Sequence, residues 1–224
     1  LSGSSLNTKF RHLGNGVKQE LELNIAIDDL NADKKRWLLD YNNEAKINDQ
    51  LTSSIDVKRI SDFRLLDDYN ISHEGGEKTS IISKAELNYQ GKTPILDTAG
   101  LGIISRQNRG TVVPAYDQIP HANLSGGGVI NQNHQPINAD YLVDLTRFTR
   151  DTGGLPSSDK ITGIRTHLVP SLSTAWVNNY SFIKPKISLP ITSYQLSETP
   201  ANISSNKTRT IPQFEIDSGL LFER

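Results

Sequence analysis

Alternation of apolar and polar residues along extended segments is the feature that most constrains this chain. In "VKQELELNIAID" (17–28), apolar side chains recur at every second position, with charged and polar residues between them. A period of two predicts a β-strand whose side chains point to opposite faces, so the strand has one oily face and one charged face. A soluble sandwich would bury the oily face against a second sheet. An outer-membrane barrel would turn it to lipid and keep the charged face in a wet lumen.

The same pattern recurs along the whole chain, which predicts an all-β fold with about eleven antiparallel strands joined as a meander. Most of these segments are longer than the common strand of about five or six residues. They match the roughly 9–11 tilted residues that cross a bilayer. The predicted strands are 5–13, 16–27, 35–47, 50–60, 79–90, 93–105, 119–130, 137–149, 162–176, 180–194 and 208–223.

The predicted links between these strands alternate between tight and long. Outer-membrane barrels show this asymmetry, with short turns on the periplasmic side and long loops outside. A sandwich with Greek-key crossings has no reason to alternate so regularly. Tight links are expected at 14–16, 48–49, 90–92 and 177–179, with 131–136 as a longer member of the set, and long links at 28–35, 61–78, 106–118, 150–161 and 195–207.

Composition narrows the classes of function. The formal net charge of −1 argues against a nucleic-acid surface. The absence of Cys removes disulfides, thiolate metal sites and cysteine nucleophiles, and the absence of Met with a start at Leu1 suggests an internal fragment of a longer protein. No stretch approaches the roughly 20 apolar residues of a transmembrane helix, so a membrane role would depend on strands.

Motifs that could carry chemistry are weak. "GKT" (91–93) resembles the end of a phosphate-binding loop, but Glu86 stands where that motif needs Gly, so the segment is interpreted as a hairpin turn. "SGGGV" (125–129) lacks a following Lys and is interpreted as flexible or closely packed backbone. The five histidines lack metal-site spacing and are interpreted as lumen or loop residues. We therefore expect no enzyme activity, catalytic residue, metal or cofactor.

Prolines interrupt the last three predicted strands. Pro170, Pro185, Pro190 and Pro212 each remove a donor from the hydrogen-bond ladder. Either these strands carry bulges or their boundaries are misplaced. In "FIKPKISLPIT" (182–192) the alternation persists across both prolines, which favours bulges.

Several blocks of the sequence resemble one family. The segments "YDQIPHANLSG", "GIRTHLVPSLS", "FIKPKISLPITSYQL" and above all "TRTIPQFEIDSGLLFER" (208–224) are similar, in this order, to blocks of the lipopolysaccharide-assembly family LptD, also known as organic solvent tolerance protein. "KFRHLGNGVKQELELNIAIDD", "RWLLDYNNEAKIND" and "VKRISDF" resemble early barrel hairpins of the same family. The resemblance covers nearly the whole chain.

The resemblance implies a fold, a function and partners. Members have a periplasmic jelly-roll domain followed by a barrel of about 26 strands. They receive lipopolysaccharide (LPS) from a periplasmic bridge of LptA and release it into the outer leaflet of a Gram-negative outer membrane without chemistry, with the lipoprotein LptE plugging the lumen. Residues 1–224 would then be a single arc of that barrel, without the jelly roll and without the first and last strands.

The implied barrel assigns the two faces of the strands. The residues expected to face the lumen, and there LPS sugar, water or the plug, are Lys18, Glu20, Glu22, Arg36, Asp40, Glu44, Lys184, Lys186, Glu215 and Asp217. The residues expected to face lipid are Val17, Leu21, Leu23, Ile25, Leu39, Ile187, Ile191, Ile216, Leu220 and Phe222.

Two alternatives remain open from the sequence. One is a soluble β-sandwich or β-solenoid that binds carbohydrate or another protein. The other is a small complete barrel that acts as a porin or an enzyme. An arc of a large barrel predicts unpaired first and last strands, whereas a small complete barrel predicts hydrogen bonds between 5–13 and 208–223.

The two faces predict opposite responses to a charge. In the full-length protein, Leu23→Arg should lower the free energy of unfolding by about 2–4 kcal/mol if the position lies near the bilayer midplane, because a charge there has neither water nor a partner. Glu22→Arg, on the wet face, should cost much less. Single cysteines in membranes supply the separating measurement. A lipid-soluble reagent should label positions 21, 23 and 25 and spare 20, 22 and 24, and equal labelling of both sets would contradict the assignment.

Overall fold

Strands make up most of the computed structural model, which describes residues 4–29, 34–69, 80–110, 113–131 and 135–221. One short helix, α1 (Arg64–Tyr69), and a single 3-10 turn (Ser157–Asp159) accompany them. The strands are β1 (Ser5–Gly14), β2 (Val17–Asp29), β3 (Lys34–Lys46), β4 (Leu51–Ile60), β5 (Ser80–Thr93), β6 (Leu96–Asn108), β7 (Asp117–Asn131), β8 (Ile137–Thr149), β9 (Thr162–Thr174), β10 (Trp176–Val177), β11 (Ser181–Ser188), β12 (Ile191–Ser197), β13 (Asn206–Thr210) and β14 (Gln213–Leu220).

All the strands belong to one antiparallel sheet. From β1 to β9 each strand pairs with its neighbours in sequence, after which β11 and β12 both pair with β9. The last two strands follow the same order, because β13 pairs with β12 and β14 pairs with β11. Within the described residues β1 pairs with β2 and with neither β13 nor β14, so the sheet is open. The predicted all-β meander is confirmed, and the small closed barrel is not observed.

Two of the predicted strands are each divided at a proline without a change of register. Ser188 lies opposite Ser171 in β9, and Ile191 continues the same register opposite Leu168. Strands β11 and β12 are therefore two halves of the predicted strand 180–194, separated at Pro190. Strands β13 and β14 are likewise two halves of the predicted strand 208–223, and β10 prolongs β9.

The bulges expected at the four prolines are not present, because the pairing stays in register at Pro170 and Pro185 and across Pro190 and Pro212. Backbone donors near the interruptions still find acceptors. The Leu189 N–H donates to the Pro170 carbonyl oxygen at 3.0 Å. The Ile211 N–H donates to the Pro190 carbonyl oxygen at 3.0 Å. A shift of register does occur in β7, between Gln118 and His121, where Pro120 lies.

The tight links follow turn chemistry. Asn15 and Gly16 both have positive φ, of 47° and 77°, as the two-residue turn of a twisted hairpin requires. The link predicted at 90–92 lies instead at Pro94 and Ile95, because "GKT" continues β5 as far as Thr93. The long link predicted at 28–35 is shorter than expected, since β2 reaches Asp29 and β3 begins at Lys34.

The turn between β3 and β4 is held by its own side chains. The Asn48 Oδ1 accepts hydrogen bonds from the N–H groups of Gln50 (2.8 Å) and Leu51 (2.9 Å). The Lys46 ammonium lies 2.8 Å from the Asp49 carboxylate. The hydrogen bond from Lys46 and the positive charge of Lys46 hold the pKa of the exposed Asp49 carboxyl below the ordinary value.

Little of the apolar surface is buried. A folded monomer of 24.8 kDa exposes about 10,000 Å², whereas this chain exposes 15,146 Å². Among the described residues the buried hydrophobic cluster is confined to Leu38, Ile60, Leu65 and Ile81, beside α1. No second sheet packs on the first within the described ranges. The soluble sandwich is therefore not the observed fold.

A close approach explains Gly126 in "SGGGV". An added Cβ at Gly126 would lie 2.0 Å from the Ile95 carbonyl oxygen. That oxygen also accepts a hydrogen bond from the Tyr141 hydroxyl at 2.6 Å, and the Gly127 N–H donates to the Pro94 carbonyl oxygen at 2.6 Å. The β5–β6 turn is thus fixed against β7. Of the two interpretations, flexible or closely packed backbone, the second describes Gly126.

Gly126→Ala should lower the free energy of unfolding by about 1–3 kcal/mol, because the turn has to move away from the added methyl group. Gly128→Ala is the matched control, since its Cβ would meet no atom within 4 Å. Urea titration of the full-length protein in detergent measures both variants. Equal effects would contradict the packing described here.

Candidate functional site

The register of the sheet places the predicted lumen residues on one face. Lys18 lies opposite Glu44, and Glu22 lies opposite Asp40. Residues that pair directly across two strands lie on the same face of the sheet. Followed from β3 through β9, these pairs connect the polar residues of β2 to those of β11 and β14. All ten predicted residues lie on this polar face: Lys18, Glu20, Glu22, Arg36, Asp40, Glu44, Lys184, Lys186, Glu215 and Asp217.

A broad depression opens on the polar face. It has a volume of about 880 Å³ and is lined by residues of β7, β8, β9 and β11, among them Ser125, Asp140, His167 and Lys186, and by the β5–β6 turn at 91–94. The depression therefore lies between that turn and the polar side chains of these strands. That the polar face is the inner side of the arc remains a prediction.

The opposite face is apolar and open. Nine of the ten residues predicted to face lipid lie on it, and Phe222 lies outside the described residues. Ile187, Ile216 and Leu220 are at least half exposed. Contact with lipid remains a prediction. Other large apolar side chains exposed on this face are Leu6, Phe10, Trp37, Leu87, Leu101, Ile103, Leu145, Leu168, Leu172, Ile183 and Phe214.

Ion pairs join the first two strands across the polar face. The Lys9 ammonium lies 2.7 Å from the Glu20 carboxylate and 3.5 Å from that of Glu22, and the Arg11 guanidinium lies 3.1 Å from Glu20. Lys9 and Arg11 were not among the predicted site residues. Cross-strand pairs of opposite charge stabilise neighbouring strands, so these carboxylates are neutralised within the sheet.

A second ion pair continues this pattern in β3 and β4. The Lys58 ammonium lies 2.8 Å from the Asp40 carboxylate, and both side chains are about three-quarters buried. Asp40 is predicted to face the lumen, and on the polar face it has a cationic partner from the neighbouring strand.

Arg36 lies on the polar face and is buried, with 1% of its side chain exposed. Its guanidinium makes two hydrogen bonds to the Asp62 carboxylate, at 3.0 and 3.2 Å, and one to Asp68 at 2.7 Å. Both aspartates belong to the segment that contains α1, and Leu65 of α1 packs with Leu38. In this structure the Arg36 side chain holds that segment against the sheet and is not open to a ligand.

Side chains replace the backbone ladder where β4 separates from β5. The paired residues end at Asp56, and the Ser83 hydroxyl then accepts from the Lys58 N–H (3.1 Å) and donates to the Lys58 carbonyl oxygen (3.0 Å). The Gln107 amide bonds both backbone groups of Ile60, at 3.1 and 2.6 Å. Side chains therefore satisfy the backbone groups of β4 at the end where it no longer pairs with β5.

A polar cluster that the sequence analysis did not single out lies on β7, β8 and β9. The Asp144 carboxylate lies 2.8 Å from His121 Nε2 and 2.8 Å from the Arg165 guanidinium, and it accepts a hydrogen bond from the Thr146 hydroxyl at 3.0 Å. The three strands are consecutive, and their register brings these groups together. Alternation places Asp144 on the polar face but does not identify its partners.

The remaining predicted charges are more exposed. Lys184 lies opposite Asp217 with 3.9 Å between their charged atoms, and both side chains are at least half exposed. Lys186 lies opposite Glu215. Exposed pairs of this kind contribute little to stability, typically less than about 1 kcal/mol, so these groups remain available to solvent.

The described residues contain no group of three or more His, Asp or Glu side chains that could hold a metal ion. None of the helices among them has the length and apolarity needed to cross a membrane. The arrangement offers hydrogen-bonding and charged groups over a wide polar surface. Such a surface suits a hydrated ligand that is held at many weak contacts.

Comparison with known proteins gives a consistent result. The sequence profile of the family described as LPS transport system D (LptD) matches residues 34–224. The chain is similar to proteins named LPS-assembly protein LptD from Nitrosospira multiformis (26% identical over 235 residues), Polaromonas (27% over 242 residues) and Pseudomonas syringae (24% over 259 residues). Each alignment covers 99% of this chain.

The same alignments cover 24%, 28% and 27% of these three relatives. The chain therefore spans about a quarter of the length of the curated proteins that it matches.

Arg36→Met should lower the free energy of unfolding by about 1–3 kcal/mol. Breaking a buried pair costs about 3–5 kcal/mol, and the partial exposure of Asp62 and Asp68 reduces that cost. The segment that contains α1 should also be cleaved faster by protease. Lys184→Met is the matched control and should cost less than about 1 kcal/mol. Unchanged proteolysis in the Arg36 variant would contradict the role of this contact.

Proposed function

We propose, since this chain belongs to the LptD family (LPS transport system D), that it forms an arc of an outer-membrane β-barrel that passes LPS to the outer leaflet. The transfer involves no covalent step, and the chain acts as part of a conduit and not as an enzyme.

One observation carries this proposal: the two faces of a single-layered sheet differ in chemistry, and the apolar face is uncovered. Soluble monomers rarely expose large contiguous apolar patches. Ile187, Ile216 and Leu220 are exposed on this face, together with the other large apolar side chains named above. A bilayer supplies the apolar surroundings that such a face needs.

The polar face supports a wet passage for the saccharide part of LPS. Sugar hydroxyl groups exchange hydrogen bonds with water and with polar side chains at little net cost. Because Glu20, Glu22 and Asp40 already have cationic partners, a passing sugar meets no unpaired carboxylate at these three positions. Contacts that are weak and numerous allow a long chain to keep moving.

The lengths of the links between strands predict how the sheet is oriented in the outer membrane. The tight turns, such as that at Asn15 and Gly16, face the periplasm, and the long links face outward. The segment with α1 belongs to a long link and packs on the polar face through Arg36. It therefore narrows the passage near its outer end.

The other partners follow from the family. We propose that LptE fills part of the lumen against this arc and that LptA delivers LPS through a jelly-roll domain of the longer protein. Residues 1–224 lie entirely within the barrel, and strands outside this segment pair with β1 and with β13 and β14 to complete the wall. The protein resides in the outer membrane of a Gram-negative bacterium.

Photo-crosslinking in cells tests the passage. A photo-reactive phenylalanine replaces Glu44, on the polar face, or Tyr41, on the apolar face of the same strand, in the full-length protein. After a pulse of labelled LPS, the adduct at position 44 should rise and then fall during a chase, because LPS only passes there. The adduct at position 41 should keep rising as labelled LPS accumulates in the membrane. Equal time courses, or no adduct at position 44, would overturn the proposal.

A further inference from the structure

Two adjacent rows of side chains cross the polar face over β7, β8, β9, β12 and β13. We call them the basic rows. Each row follows the register of the sheet, so its members are direct neighbours. The first row is Asn123, Asp144, His167, Thr192 and Arg209, and the second is His121, Thr146, Arg165, Tyr194 and Lys207.

The basic rows hold more cations than carboxylates. Asp144 is the single carboxylate, and it already binds His121 and Arg165, each at 2.8 Å. Lys207 and Arg209 are exposed, and their side chains make no ion pair or hydrogen bond to another residue that the structure describes. Elsewhere on the polar face, Lys9 and Lys58 form ion pairs with carboxylates. Lys18 and Lys186 form no ion pair within the described residues, but each lies opposite a glutamate in the register.

A depression of about 450 Å³ lies beside Arg209. Its lining includes hydrogen-bonding groups from His167 and Thr192, with His167 Nδ1 2.8 Å from the Thr192 hydroxyl. The next row of the sheet adds an apolar strip formed by Val169, Pro190 and Ile211, and Gln213 lies beyond that strip. A sugar ring combines the same two kinds of surface, with hydroxyl groups at its edge and C–H groups on its faces.

Arg209 matches the anionic part of such a ligand. A guanidinium presents a planar set of donors that fits a phosphoryl or carboxylate group with two parallel hydrogen bonds. Lys207, on the same strand and face, adds a second positive charge. Tyr194 lies directly opposite Lys207 and is 38% exposed, so its ring is available to a sugar.

We propose that Arg209 and Lys207, with His167, Thr192 and Tyr194, form a binding site for an anionic saccharide, that is, a sugar bearing a phosphoryl or carboxylate group. This inference rests on the proposed function, because a saccharide reaches these residues only if the polar face is a passage. It adds a place where the passing chain pauses, since the unpaired cations bind anionic sugars more tightly than the paired charges of β1 to β4.

Binding to the full-length protein in detergent, in complex with its plug protein, tests the site. The probe is the saccharide part of LPS freed from its acyl chains. Replacing both Lys207 and Arg209 by Gln should raise the Kd for this probe about tenfold, because charged hydrogen bonds are lost. Replacing Lys184 and Lys186 by Gln is the matched control. It removes two positive charges that lie opposite Asp217 and Glu215 on the same face, and it should change Kd less than twofold.

Chemically altered probes identify the anionic group. If dephosphorylation of the saccharide abolishes the difference between wild type and the Lys207/Arg209 variant, the ligand group is a phosphoryl. If reduction of its carboxyl groups abolishes the difference, the group is a carboxylate, and both results support the site. Inorganic phosphate that competes as well as the saccharide at equal concentration would overturn saccharide recognition.

Other results would overturn the site. Equal losses of affinity in the two double variants would mean an unspecific effect of net charge. A photo-crosslink from position 194 to the plug protein, without an LPS adduct, would mean that an acidic segment of that protein occupies the rows. A normal transient LPS adduct at position 44 with no effect of the Lys207/Arg209 change would refute this site alone. Loss of the adduct at position 44 would refute the proposed passage itself.

Discussion

An apolar sheet face with nothing packed on it is the constraint on which the rest of this structure depends. In water, residues such as Phe214 and Leu220 would drive the sheet to fold over itself or to aggregate. The chain instead keeps one layer, with a small buried cluster beside α1. In the proposed barrel, lipid supplies the apolar surroundings that this face needs. The open meander, the large exposed area and the long strands are all consistent with that proposal.

The proposed lipid surroundings would impose a second condition, which concerns the backbone. Hydrocarbon cannot hydrogen-bond an N–H or C=O group, so every interruption of the ladder needs a partner from the protein. The chain supplies these partners locally. Ser83 and Gln107 serve the backbone of Lys58 and Ile60, and the N–H groups next to Pro190 and Pro212 reach carbonyl oxygens across the gap. The prolines are tolerated because the register continues past them.

The charged side chains of the polar face differ in whether they have a partner of opposite charge. In β1 to β4, Lys9, Arg11 and Lys58 form ion pairs with carboxylates on neighbouring strands, so these charges stabilise the sheet. Arg36 serves the fold by anchoring the α1 segment. In β13 the cations of Lys207 and Arg209 lack such partners within the described residues. The distribution of pairing, more than the number of charges, separates the residues that hold the arc together from those that are free to bind.

The alternation of residues by itself determined the strands, their antiparallel order and the face on which each side chain lies, because a period of two is a local property of extended backbone. Alternation alone was enough to assign Glu22 and Leu23 to opposite faces of the sheet. The tertiary structure decided what each polar residue contacts. Alternation placed Arg36 and Asp144 on the polar face, but the partners of Arg36 depend on how the α1 segment packs, and those of Asp144 depend on the register of β8 with β7 and β9. Register and link packing are set by contacts between whole segments, and no local pattern contains them.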